Sequence, residues 1–193
     1  RYSICMIPKI KENLSSYNPS GPIAGLPQAA VLILLHETGE DLNVIYCLRS
    51  NNLPTHAGEV AFPGGKREEK DETLKDTALR EAQEEVNLEL KDVEVLGEIS
   101  SVQSRFGLSV TPYIGILKIN SLIADGKEIA EVFSVPLKFI KNNMQKEQKS
   151  ENWENKKVFF PFFEFENKMV WGLTAYMTVE FLKLLDIEID LTR

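Results

Sequence analysis

The sequence predicts an α/β fold in which a mixed sheet lies between helical layers. Three observations carry this expectation. Apolar strand-like runs stand on both sides of one central helical segment, an amphipathic helix closes the chain, and neither an internal repeat nor a clear linker interrupts the order. The 193 residues, 43% apolar and 26% charged, suit a single domain with a real core. The expected organisation is one domain over residues 1–193, its first 25 or so residues a helical or extended lead-in.

The elements follow in order. Residues 8–17 fit a short helix, ahead of the Pro/Gly-rich entry NPSGPIAGLP. QAAVLILLHE reads as a fully buried strand, ETGED as a turn and LNVIYCLRS as the returning strand of a hairpin with Gly39 in its loop. NNLPTHAGEV is a loop running into the short strand EVAF. Residues 73–87 are helical in pattern. VEVLGEISSV and VTPYIGILKI read as strands around the SRFG turn, and SVPLKFIKNN as a short helix or turn. KVFFPFFEF and KMVWG suggest a further hairpin. LTAYMTVEFLKLL is the closing helix, with Leu173, Met177, Phe181 and Leu184 on one face. The most polar run, Lys141 to Lys157, reads as a mobile surface loop.

Composition narrows the function classes. No apolar run reaches the ~20 residues of a membrane span. RYSICMIPKIKENLSSY lacks the basic, apolar and small-residue layout of a signal peptide, and IDLTR is neither a peroxisomal nor an ER-retention address. The chain opens on Arg1, which leaves room for a leading segment, a targeting peptide included. Cys5 and Cys47 lie far apart with no second pair, which argues against a zinc site or a disulfide framework; a reducing compartment, the cytoplasm, is the expectation. A net charge of −7 gives no electrostatic reason to bind nucleic acid, and nothing points to a membrane. The expected partner is a small-molecule substrate, with a homodimer left open.

The charge is concentrated. Residues 66–94 hold six Lys/Arg against eleven Asp/Glu, a net −5. At roughly 100° per residue, Ala78, Leu79, Ala82 and Val86 share the core arc of the helix, while Glu81, Glu84 and Glu85 share another. Glu81 and Glu85 are i,i+4 neighbours, a like-charge spacing that costs a few tenths of a kcal/mol. Either this is a solvated acidic face or a cation sits there. Hard cations such as Mg²⁺ or Mn²⁺ take oxygen ligands and bridge to substrate phosphates. The preceding Pro63-Gly64-Gly65 turn can aim a carbonyl oxygen at such a cation, although by itself the turn is a weak signal.

Together these residues resemble the Nudix hydrolase signature, G-x5-E-x7-R-E-U-x-E-E-x-G-U, with U bulky and aliphatic. Arg80-Glu81-Ala82-Gln83-Glu84-Glu85-Val86-Asn87-Leu88 matches its second half, and Glu72 stands eight residues before Arg80. Three departures stand out. The Gly65 to Glu72 spacing is one residue too long, Ala82 is a small U, and Asn87 replaces the last glycine. Asn tolerates the left-handed conformation that a helix end needs. The resemblance implies a Nudix-type α/β/α sandwich with a mixed central sheet and cleavage of a diphosphate linked to another group. It also implies roles. Glu81, Glu84 and Glu85 would be metal ligands, with the Gly64 carbonyl a further one, and Arg80 would pair with Glu72 to brace the loop against the helix.

Upstream, LRSNNLPTHAGEVAFPGGK resembles the coenzyme A diphosphatase branch, through Arg49, Ser50, His56, Gly58, Glu59 and Phe62. GLSVTPYIG, EIAEVFSVPL and VWGLTA are similar to later segments of that branch, so the resemblance spans roughly residues 28 to 185. It implies hydrolysis of coenzyme A or acyl-coenzyme A to 3′,5′-ADP and 4′-phosphopantetheine or its acylated form. Arg49, Ser50 and His56 are the candidate substrate contacts; a surface ion pair for Arg49 and a loop-ordering role for His56 are the bland readings. The Ser104–Gly107 turn could flank a substrate. Glu128 or Glu131 could reach the metal or serve as base, though a solvated face suits each. Phe62 and Trp171 fit the core better than a stack on adenine. Two alternatives remain: a Nudix enzyme for another nucleoside diphosphate derivative such as ADP-ribose, and a Nudix-fold binding module without catalysis.

Overall fold

A computed structural model describes residues 6–38, 41–119, 122–149, 158–187 and 189. The central strand, β1 (Gln28–Thr38), is hydrophobic on both faces and buried on both. Leu32 and Leu34 face one layer, Ile33 and Leu35 the other. β2 (Asp41–Arg49) returns antiparallel along the distal half of β1, from Leu35↔Val44 to Thr38↔Asp41. The hairpin is as expected; its loop residue Gly39 lies outside the described residues.

On the other edge β7 (Ser109–Leu117) runs parallel to β1, and β5 (Val93–Glu98) and β6 (Val102–Gln103) pair antiparallel with β7. β8 (Ile129–Pro136) pairs antiparallel with β2. The sheet is therefore mixed, with eight strands. A smaller three-stranded sheet joins β9 (Gln145–Lys149), β10 (Val158–Phe165) and β11 (Lys168–Val170).

Helix α2 (Leu74–Val86) covers one face of the main sheet, packing Ala78, Ala82 and Val86 on Ala30, Leu32, Leu34 and Cys47. The opposite face is covered by α1 (Met6–Ser16), α3 (Leu137–Asn143) and α4 (Gly172–Leu184) around Ile10, Tyr46, Phe62, Phe163 and Phe181. Tyr46 stacks on Phe62 at 5.0 Å and its hydroxyl shares a 3.0 Å hydrogen bond with Thr178. Among the described residues no helix is long and apolar enough to cross a membrane.

Several expectations change. The Pro-Gly-Gly stretch is more than a turn, because β4 (Gly64–Lys66) pairs with β1. SVPLKFIKNN divides into the end of β8 and α3. The expected surface loop from Lys141 to Lys157 is instead the end of α3 and strand β9 as far as Lys149; residues 150–157 lie outside the described residues. On α4, Met177 and Phe181 are buried, but Leu173 and Leu184 only partly, because the buried arc turns toward Thr174, Ala175, Thr178 and Leu182.

Candidate active site

The site grows out of a wedge in the sheet. β1 and β2 pair only at one end, and the chain from 60 to 66 enters where they part. β3 (Val60–Ala61) pairs with β2, the Pro63 carbonyl accepts from the Leu32 N–H at 2.9 Å, and β4 pairs with the start of β1. The glycines are needed for close approach. A Cβ on Gly64 would stand 2.4 Å from the Ala30 carbonyl oxygen, and one on Gly65 only 2.3 Å from a carboxylate oxygen of Glu81. Gly65 thus makes the space that Glu81 occupies.

α2 leaves this wedge through a capping box. The Thr73 hydroxyl accepts from the Asp76 N–H, and the Asp76 carboxylate from the Thr73 N–H. Asn87 closes the helix at φ 52 in the left-handed conformation. Between these caps the three glutamates differ sharply. The Glu84 side chain is 56% exposed, Glu81 17% and Glu85 5%. Burial raises the Glu81 carboxyl above its ordinary range, and pushes Glu85 up to about 7. One Glu85 oxygen accepts from the Gly64 N–H at 2.9 Å, which offsets part of that cost.

Arg80 does not pair with Glu72. Its Nε and Nη2 fork onto the two oxygens of Asp71 at 2.9 and 3.0 Å, while the Glu72 side chain is exposed. The inserted residue explains the correction. Counted forward from Gly65, Asp71 holds the acidic place of the signature; counted back from Arg80, Glu72 does. The fold selects Asp71, and Glu72 becomes the extra residue ahead of Thr73. Asp71 also accepts from the Glu68 N–H and the Thr77 hydroxyl, both at 2.9 Å, and its carboxyl is held well below the usual range, chiefly by Arg80. Arg67 donates to the Asp71 and Glu72 carbonyls and ties down the same bend. Arg80 Nη1 donates to Glu81 at 3.0 Å and Glu84 at 3.2 Å, and Nη2 to the Lys66 carbonyl. One guanidinium thus joins loop, strand and acidic helix.

Among the described residues no three of His, Cys, Asp and Glu stand together as a ready metal cage. The donor set nevertheless suits a hard cation. Every candidate donor is an oxygen, two of the three carboxylates are largely buried at a cost that a cation would reverse, and Gly65 keeps the floor clear.

Arg49 ends β2 on the same sheet face as Cys47, beside Glu85. Its Nη1 is 3.7 Å from a Glu85 oxygen, its Nη2 4.0 Å from Glu128, and its buried Nε has no hydrogen-bond partner among the described residues. Neighbouring strands hold it on both sides, with Arg49 N–H on the Glu59 carbonyl (2.9 Å) and Ser50 N–H on the Glu128 carbonyl (2.8 Å). Ser50 is buried and its hydroxyl accepts from the Asn52 N–H at 3.3 Å, so here it braces the loop. His56, at φ 56, shares a 2.7 Å hydrogen bond with Glu59.

Of the later acids, Glu128 faces Arg49 while Glu131 pairs with Lys168 at 3.1 Å on the other side. Phe62 is core, as expected, but Trp171 is 37% exposed at the start of α4. Asp71 is the site residue that sequence reasoning missed. The available signal was the second count, forward from Gly65.

Comparison with known proteins agrees with this architecture. The family model of the NUDIX domain matches residues 26–173. "Nudix hydrolase 15, mitochondrial" of Arabidopsis thaliana is 39% identical over 157 residues, 77% of this chain and 55% of the relative, so this chain spans little more than half of that protein. An "uncharacterized Nudix hydrolase NudL" of Photorhabdus laumondii is 39% identical over 130 residues, 66% of this chain and 68% of the relative. Among solved structures, a MutT/nudix family protein from Enterococcus faecalis aligns with a TM-score of 0.54 at 18% identity, covering 86% of this chain and 64% of that one. That match carries the fold alone: the mixed central sheet with flanking helices. With its acidic helix, its Pro-Gly-Gly strand and the arginine brace between them, this chain belongs to the Nudix hydrolase family, whose members work with a divalent metal.

Proposed function

We propose that this protein hydrolyses the diphosphate bond of coenzyme A or acyl-coenzyme A, yielding 3′,5′-ADP and 4′-phosphopantetheine or its acylated form. The observation that carries the reading is Arg49. A buried guanidinium nitrogen without a partner, beside a buried carboxylate at the mouth of the acidic helix, suits an incoming phosphate. The coenzyme A assignment is supported by the stretch around it. Arg49, His56, Gly58 and Glu59 form one closed loop that hangs between the Arg49 N–H and the Glu59 carbonyl, directly ahead of β3.

Glu81, Glu84 and Glu85, with the Gly64 carbonyl, would hold Mg²⁺ or Mn²⁺. When bound, the metal neutralises the diphosphate, polarises a phosphorus and favours ionisation of the attacking water. Arg49 would grip phosphate oxygens and balance charge as the water adds and the bridging P–O bond breaks. Arg80 and Asp71 would keep Glu81 and Glu84 in place without touching substrate. Glu128, across Arg49 from Glu85, is the better placed of the two later acids to receive the water proton. The described cysteine, Cys47, is free and buried, in keeping with a reducing compartment such as the cytoplasm; the name of the Arabidopsis relative places that protein in mitochondria.

Initial rates across coenzyme A, acetyl-coenzyme A, ADP-ribose and a nucleoside triphosphate, with product identification, test the proposal. Coenzyme A or its acetyl form should be cleaved fastest, with 3′,5′-ADP among the products. If ADP-ribose leads the panel, or 3′,5′-ADP never appears, the coenzyme A assignment is wrong.

A further inference from the structure

An exposed cluster of aromatic and cationic side chains lies beside the site, and bond cleavage makes no use of it. Arg105 is 63% exposed at the tip of the 104–107 turn. Its guanidinium carbon stands 4.7 Å from the Phe106 ring centroid and 5.8 Å from that of Trp171. Both rings face water, Phe106 at 61% exposure and Trp171 at 37%. His56 meets Phe106 edge-on, with centroids 5.1 Å apart. Glu59 holds His56 through one carboxylate oxygen, and its other oxygen lies 4.0 Å from Arg105.

The cluster is built on fixed backbone. The Ser104 N–H bonds the Leu108 carbonyl, the Gly107 N–H bonds the Ser104 carbonyl, and the Ser104 hydroxyl takes the Leu108 N–H. Gly107, at φ 72, allows the bend. Trp171 sits at the head of α4, which the Thr174 hydroxyl anchors to the Val60 carbonyl of β3. The cluster also adjoins the phosphate site. The Arg49–Glu59 backbone bond continues the register Leu48↔Val60, so the Arg49 and Glu59 side chains share one face of the sheet.

Single exposed apolar side chains are ordinary, but two exposed rings flanking a guanidinium make a different surface. A nucleobase stacks on such rings whatever its edge pattern, and a guanidinium grips a phosphate. In a chain of net charge −7, an exposed cation whose carboxylate contact is as long as 4.0 Å is chemically selective for an anionic group. We infer that Arg105, Phe106 and Trp171 form a subsite for a purine nucleoside carrying a ribose phosphate, the 3′-phosphoadenosine end of the proposed substrate. The pantetheine end is neutral along its length and offers this guanidinium only uncharged amide and hydroxyl oxygens, weaker acceptors than a phosphate. The inference rests on the coenzyme A reading and assigns that substrate an orientation.

The test is calorimetric titration of 3′,5′-ADP and of 5′-AMP into the wild-type protein, Arg105→Gln and Phe106→Ala, in Mg²⁺ buffer. The wild type should bind 3′,5′-ADP at least about tenfold more tightly than 5′-AMP. Arg105→Gln should bring the two within about twofold by weakening 3′,5′-ADP alone. Phe106→Ala should weaken both by about tenfold and keep their ratio, since stacking does not read the phosphate. Equal affinities in the wild type, or a ratio that Arg105→Gln leaves unchanged, overturn the subsite. Coenzyme A hydrolysis reports separately on the reading beneath it. Cleavage with an unchanged ratio removes the subsite alone; an Arg105-dependent ratio without cleavage keeps the subsite and removes the substrate assignment.

Discussion

Arg80 and Arg49 border the same acidic helix and are bonded in opposite ways. Arg80 donates to both oxygens of Asp71, to a strand carbonyl and to two glutamates, so its donors are occupied in the folded chain. Among the described residues Arg49 has only the long contacts to Glu85 and Glu128, and its Nε is buried without a partner. A guanidinium with every donor engaged holds a frame together. One kept in place by backbone neighbours, with donors to spare, costs the fold something and retains capacity for a ligand. Substitutions at the two arginines' partners should therefore part into loss of stability and loss of function.

The largest effect is expected on stability, at Arg80's side of the site. Asp71→Ala leaves a mostly buried guanidinium and the Thr77 hydroxyl without their carboxylate, at a cost of about 3 kcal/mol. For a chain of this size that lowers Tm by about 6–12 °C, which calorimetry or a thermal melt can check. Next comes Glu85→Gln. Glutamine keeps the shape and removes the charge, so turnover at saturating Mg²⁺ should fall by about 100-fold. The melting temperature should hold or rise slightly, because a buried charge disappears. Near-wild-type rates in a folded Glu85→Gln protein would end its role as a ligand.

Arg49→Ala should be milder, with KM for coenzyme A up by about tenfold, kcat within about twofold and metal affinity unchanged. A collapse of kcat instead would move Arg49 from binding to transition-state stabilisation. The smallest effect sharpens the comparison most. Glu72→Gln, at an exposed side chain, should change stability by less than about 0.5 kcal/mol and leave turnover alone. If it matches Asp71→Ala, the brace has been assigned to the wrong acid.

Much of this site is legible in the sequence because α2 is regular. A helical period places Glu81, Glu84 and Glu85 on one arc and the alanines on another without tertiary information. The buried hairpin of β1 and β2 is legible for a similar reason, since its apolar runs have no helical period. The brace is not. One inserted residue lets two spacings compete for it, and only the capped start of α2 decides between Asp71 and Glu72. β4 is hidden because Pro-Gly-Gly reads as a turn, while its partner is β1, more than thirty residues earlier. Nor does the exposure of Trp171 follow from its type. A tryptophan before an amphipathic helix suits the core, yet here it stands at the surface with the Arg105 guanidinium 5.8 Å from its ring.

The ladder between β4 and β1 gives the floor of the site an unusual lifetime. Short glycine-rich segments ordinarily exchange their amide protons through local fraying. Here Gly64 and Gly65 lie in register with Val31 and Ala30, and β1 is clamped on its other side along β7 from Gln28↔Ser109 to Leu35↔Ile116. Freeing the two glycines would mean breaking this ladder together with the Gly64 N–H bond to Glu85 and the Arg80 bond to the Lys66 carbonyl. The Gly65 proton should persist in deuterated water about as long as those of Leu32 to Leu34, the Gly64 proton only as long as its bond to Glu85 holds, and a protease should find no nick there. The 51–58 loop and the 104–107 turn carry no such clamp, so change in substrate range is free to accumulate at the rim while the floor stays still.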